Sequence, residues 1–213
     1  MLLKLTINSL YARLLTVSMT VLVISLSLML YLSVEKLRSS SYTSFTNTIS
    51  QTDLIVGSRT GSVQLLLYSV FRIGNATNNI TWESYEDIIN RDEVKWSVPI
   101  SLGDSHKGFR VMGTNADFFK RYKYRGDQSL KIEEGKYFLD LYDVVIGFGV
   151  AEKLGYNINT PLVVSHGLKS FTEHDDQPFK VSGILAKTGT PVDNTIIVSL
   201  EAIEAIHVDW SSG

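Results

Sequence analysis

Residues 14–34 read LLTVSMTVLVISLSLMLYLSV, 21 positions without one charged side chain. A helix needs roughly 20 apolar residues to cross a bilayer. In hydrocarbon every backbone N–H and C=O must be paired within the segment, so the run is expected to be one continuous transmembrane helix. A cleaved signal peptide would carry a shorter apolar region and a small-x-small cleavage site. Ser33-Val34-Glu35 is a poor site of that kind, so the helix is expected to stay in the protein.

Outward from this run, residues 1–13 form a short cytoplasmic lead. Positions 2–12 have apolar residues near helical spacing, which fits either a short helix along the membrane surface or a frayed terminus. Lys4 and Arg13 precede the span and Lys36 and Arg38 follow it, so the positive-inside count is nearly tied. The free amino terminus tips it towards N-inside. Within the span, Ser18 and Ser25 lie seven residues apart, as do Thr20 and Ser27. Small polar residues at that spacing point to a helix-packing face where a neighbouring helix can approach, or to side chains that a membrane helix simply tolerates.

Residues 35–52 are polar and rich in Ser and Thr, with Leu37, Tyr42, Phe45 and Ile49 three to five apart. The pattern predicts a helical stalk, with a flexible linker as the alternative. Residues 53–210 form the folded domain. A strand is predicted over 53–57, a buried helix over 62–71, and a helix after Thr81 through Trp82, Tyr85, Ile88 and Ile89. Strands follow over 94–101 and 109–113, with a short helix starting at Asn115. Strand 143–146 leads into a glycine turn and a helix that Gly155 closes. Further strands are expected over 162–165, 179–185 and 195–198, with a turn over 188–191 and a closing helix over 200–206. The mixture indicates an α+β fold in one or two lobes.

Composition removes several functions. The chain has 20 basic and 22 acidic residues, and its first 38 residues carry +3 of the net −2. The remaining domain is therefore mildly acidic and unsuited to nucleic acid. With no cysteine there is no disulfide and no thiolate metal site. Gly147-x-Gly149 follows a strand, but Glu152 fills the third glycine position of a dinucleotide motif and would set negative charge beside a pyrophosphate. A zinc site would use His166, His174 and Asp175, by ligand type alone; an ordinary polar surface loop is the simpler account. No nucleophile elbow and no phosphate-binding loop is present, so the chain is read as non-enzymatic, without a cofactor of its own.

Three stretches carry a family resemblance: DLIVGSRTGSVQLLLYSVF (53–71), VVIGFGVAEKLGYNINTPLVV (144–164) and FKVSGILAKTGTPVDNTIIVSLEAIEAI (179–206). Together with the N-terminal span they resemble the permease subunit of bacterial ABC transporters of the FtsX-like, macrolide-exporter (MacB-like) type, with its periplasmic core domain. The resemblance implies an N-inside helix in the bacterial inner membrane, an ectodomain in the periplasm, and a separate cytoplasmic ATPase subunit that holds the ATP. It also implies a homodimer or permease pair, a periplasmic partner protein, and a domain that relays ATP-driven motion. The family has three further spans that this sequence does not contain, so it implies that the chain is the N-terminal part of such a permease. The alternative is a single-span membrane-anchored sensor or ligand-binding protein.

Overall fold

The computed structural model describes residues 6, 9–74, 78–166 and 179–208. The chain divides into two compact units, residues 1–45 and 46–213.

The first unit is built on helix α1, which runs over Leu14–Thr48. No Gly or Pro interrupts this stretch, so nothing removes a hydrogen bond or loosens the backbone. At 1.5 Å per residue the helix is about 50 Å long. Its segment Leu14–Thr43 is long and apolar enough to cross a membrane, and none of that apolar stretch is buried within the protein.

The second unit opens with a surface layer of two helices, α2 (Ser62–Ser69) and α3 (Trp82–Ile89). Thr81 caps α3 by accepting the Ser84 N–H at 3.2 Å. The sheet strands are β1 (Ile100–His106), β2 (Phe109–Thr114), β5 (Ile132–Gly135), β6 (Asp143–Ile146), β7 (Pro161–Leu162), β8 (Ser165–His166), β9 (Phe179–Leu185) and β10 (Thr195–Ser199). Between them lie α4 (Asp117–Arg121), a small hairpin of β3 (Lys123–Tyr124) and β4 (Gln128–Ser129), α5 (Phe148–Leu154) and a 3-10 turn over Pro191–Asn194. Helix α6 (Leu200–Val208) follows β10.

The strand order is β5-β9-β6-β10-β2-β1-β8, with β7 also paired to β9. β10 is parallel to β2, β6 is parallel to β9, and the remaining pairs are antiparallel. Strands β7 and β8 are separated by only Val163 and Val164, yet they pair at opposite edges of the sheet. The sheet must therefore curl until this one segment bridges its edges. The seam is polar: the His106 imidazole spans the Val163 carbonyl (2.6 Å) and the Tyr156 hydroxyl (2.8 Å).

Alternate residues of the central strands serve two cores, as a period of two requires. Val144, Ile146, Ile196, Val198 and Val111 join Val150 of α5 and Ala202 and Ile206 of α6 in one. Val145, Ile197 and Met112 join Phe118 and Phe119 of α4, Tyr124 and Val192 in the other. Burial on both faces explains why these strands read as unbroken apolar runs.

Several expectations need correction. The α+β class holds, and of the one or two lobes expected residues 46–213 form one compact unit around one curled sheet; the differences lie in individual elements. Residues 53–57 make no strand, because no ladder partner reaches them, and Leu54 is 75% exposed. The strand expected over 94–101 begins only at Ile100 and runs to His106. The helix after Gly61 forms over Ser62–Ser69, but none of its own residues is buried. The strand expected over 162–165 is split into β7 and β8.

Candidate functional site: the end of the long helix

An α-helix leaves its last four carbonyls without intrahelical partners. At the end of α1, inside the second unit, the domain supplies donors. The Arg125 N–H donates to the Asn47 carbonyl at 2.9 Å, and the Tyr122 hydroxyl donates to the Thr48 carbonyl. One step on, the Ser50 N–H donates to the Lys123 carbonyl at 2.9 Å, forming an isolated bridge to β3. The Gly126 N–H returns a bond to Ser50 Oγ (3.1 Å), and Gln51 Nε2 donates to Asp127 Oδ1 (3.0 Å). The hairpin can turn this tightly because Arg125 and Gly126 both adopt left-handed backbone angles, φ 46° and 87°.

Tyr122 connects this clasp to the centre of the sheet. Its oxygen lies 3.4 Å from Thr190 Oγ1, in the turn that precedes β10. Thr190 accepts the Val192 N–H (3.3 Å) and lies 2.8 Å from Thr188 Oγ1. The buried Asp193 carboxylate anchors the turn. It accepts the Thr188 N–H (2.8 Å), the Thr188 hydroxyl (2.7 Å) and the Gly189 N–H (2.8 Å). The Arg125 guanidinium lies against Gly189, where a methyl group would collide with it. A connected line of polar contacts thus runs from the last turn of α1 through Tyr122 and Thr190 to the central strand.

Burial raises the Tyr122 pKa above the usual tyrosine value; contact with Thr190 and the nearby Arg72 oppose the shift, while Asp193 reinforces it. The phenol is therefore neutral at physiological pH, with its proton available for the Thr48 carbonyl. Such a site can carry force or position. Its carboxylate is engaged by three donors of its own turn.

Gly147 belongs to the same construction. A side chain there would run into the carbonyls of Val192 and Asp193. The glycine after β6 thus permits α5 to start hard against the turn, which accounts for it without a nucleotide. Gly155 ends α5 in a left-handed conformation, φ 67°.

The residues singled out from sequence lie elsewhere. His166 is in β8, in register with Asp104 of β1; His174 and Asp175 fall outside the described residues. Among the described residues no group of three or more His, Asp or Glu could hold a metal ion. Ser18, Thr20, Ser25 and Ser27 are all exposed on α1. The Ser18, Thr20 and Ser27 hydroxyls donate to the carbonyls of Leu15, Thr16 and Val23. At about 100° per residue, the pair Ser18/Ser25 and the pair Thr20/Ser27 stand on opposite sides of the helix, two stripes rather than one. Tyr122, Thr188, Thr190 and Asp193 escaped the sequence reading as a site. The signal was present in Thr190-Pro191-x-Asp193, an N-cap threonine, a proline at the first position and an acid in the first turn.

A helix long and apolar enough to cross a bilayer thus leads into a curled α+β sheet whose residues bond the helix's last carbonyls. Residues 14–212 match the MacB-like periplasmic core domain. The chain belongs to that family, and so to the MacB/FtsX-like ABC permeases. No curated protein matches it. Among solved structures, a domain of a Porphyromonas gingivalis protein described as a permease is similar at 11% identity and a TM-score of 0.33, over 54% of this chain and 55% of that one. The chain thus spans about half the length of that structure.

Proposed function

We propose that this chain is the anchored extracytoplasmic part of an ABC permease and works as a transmission element, with no catalytic step of its own. ATP is hydrolysed by a separate cytoplasmic subunit. The resulting movement passes along α1 into the sheet domain, which stands in the periplasm and acts on an envelope substrate or partner protein. Two such permease chains, identical or paired, work together in the inner membrane.

The observation that carries this reading is the clasp on α1. A helix without Gly or Pro ends with its terminal carbonyls bonded to the domain's own Arg125 and Tyr122. Movement of the helix end therefore pulls on the hairpin and, through Tyr122, on the turn before β10.

The chain has no cysteine, so single cysteines can be introduced as unique labelling points. A spin label at Lys131→Cys, in the full-length permease with its ATPase, should give a distance between the two copies that changes on ATP addition. Ser40→Pro breaks α1 at a cost of about 3 kcal/mol or more. That variant should keep ATP hydrolysis and lose the distance change. An unaltered change in Ser40→Pro would rule out α1 as the transmitting element.

A further inference from the structure

Arg72 sits just after α2, in a turn where its own backbone is left-handed at φ 62°. Its side chain reaches β2, and Nη2 lies 3.0 Å from the Met112 sulfur. A thioether is a weak acceptor. Nε and Nη1 are closed off from solvent and have no hydrogen-bond acceptor among the described residues. Burial presses the group down to about 10, so it remains charged at neutral pH.

A second cation stands close by. Arg110 lies two residues before Met112 and is on the same face of β2. Its guanidinium is 5.8 Å from the Tyr68 ring centroid and donates to the Gly74 carbonyl. Two guanidiniums thus share one side of β2 beneath residues 68–74. No carboxylate bonds to Arg72 among the described residues. Arg72 is half-buried as a residue, but a charge whose donors are closed off without a counter-charge is disfavoured, and satisfied cations bind their partner through several donors at once.

The cover over this charge is thin. Helix α2 buries none of its own residues, and Val63 and Leu67 on it are exposed. Beneath it the chain is held by Val70 in the interior, by the Tyr68 hydroxyl on the Leu102 carbonyl, and by Arg72 itself. Arg72 as a residue is half-buried beside this exposed helix, so opening of α2 would bring solutes to the guanidinium.

We infer that Arg72 is the seat of a small oxyanion from solution, of the phosphate, sulfate or carboxylate type, bound between α2 and β2. The anion neutralises the charge and supplies the acceptors that Nε and Nη1 lack. Occupancy then fastens α2 to the sheet.

The test uses the full chain in detergent, with thermal unfolding in sodium phosphate, sulfate or acetate against chloride at matched ionic strength. Wild type should show a saturable rise in unfolding temperature with at least one oxyanion, of about 3–6 °C at ten times the dissociation constant. Arg72→Met should fold, and should lose the oxyanion-specific rise. Arg72→Lys keeps the charge but not the planar donor set, and should bind at least tenfold more weakly. Equal shifts in chloride, or a rise that survives unchanged in Arg72→Met, overturn the assignment. If Arg72→Met does not fold, Arg72→Lys decides alone: oxyanion binding as strong as that of wild type counts against the site.

Discussion

Tyr122 has one proton to give, and it goes to the Thr48 carbonyl. Removing the hydroxyl in Tyr122→Phe should cost roughly 1 kcal/mol of stability, the ordinary net worth of such a bond. The change also isolates a pH effect. Because the folded-state pKa of Tyr122 is raised, its contribution is intact below the unfolded value of about 10 and fades as pH climbs through the folded value. Urea midpoints followed by tryptophan fluorescence should therefore fall on the alkaline side, and fall less in Tyr122→Phe. Identical slopes for the two proteins would remove Tyr122 from the account. Asp193 is the other residue on which the turn depends. Asp193→Ala strands the buried Thr188 N–H and hydroxyl, and frees the exposed Gly189 N–H to water, so it should lower stability by about 1–3 kcal/mol in the same assay.

At the scale of elements, local signals differ in how well they survive folding. Helix α5 was legible because both its ends carry the needed residues, Gly147 where the chain must approach the turn and Gly155 where it must turn left-handed. Helix α3 was legible through its cap. Thr81→Ala should weaken it by about 1 kcal/mol, read as faster amide exchange confined to residues 82–89. Exchange spreading into β1 would show that α3 is integral to the sheet rather than laid upon it. The apolar residues at 53–57 misled because apolarity specifies a strand only where an edge is free to receive it. The β3–β4 hairpin left almost no periodic signal, being two residues on each side, and its role lies in contacts with Asn47, Thr48 and Ser50 that are about 75 positions away in sequence.

For the whole molecule, the distribution of burial sets the order in which parts open. β2, β6, β9 and β10 are buried on both faces, whereas residues 53–99 expose Leu54, Val56, Val63, Ile73 and Trp82. Amides of those four strands should exchange only by global unfolding, and those of 53–74 and 78–99 by local opening at much lower free energy. Uniform protection across both regions would contradict this hierarchy. Leu162 and Val164 pack at the segment that bridges the sheet edges, so its closure is part of the same cooperative unit.

The sequence by itself determined the apolar helix, the α+β class, the positions of β2, β6, β9 and β10, and both ends of α5, since each depends on spacing or on backbone freedom within a few residues. Only the tertiary structure decided that β7 and β8 pair at opposite edges and curl the sheet, that α2 lies exposed while Arg72 after it reaches Met112 of β2, and that Tyr122 joins the end of α1 to the Thr188–Asp193 turn. Those features arise from pairings between distant parts of the chain. A hydroxyl or a guanidinium acquires its role from whichever acceptor folding places before it, and nothing in its immediate neighbours records that choice.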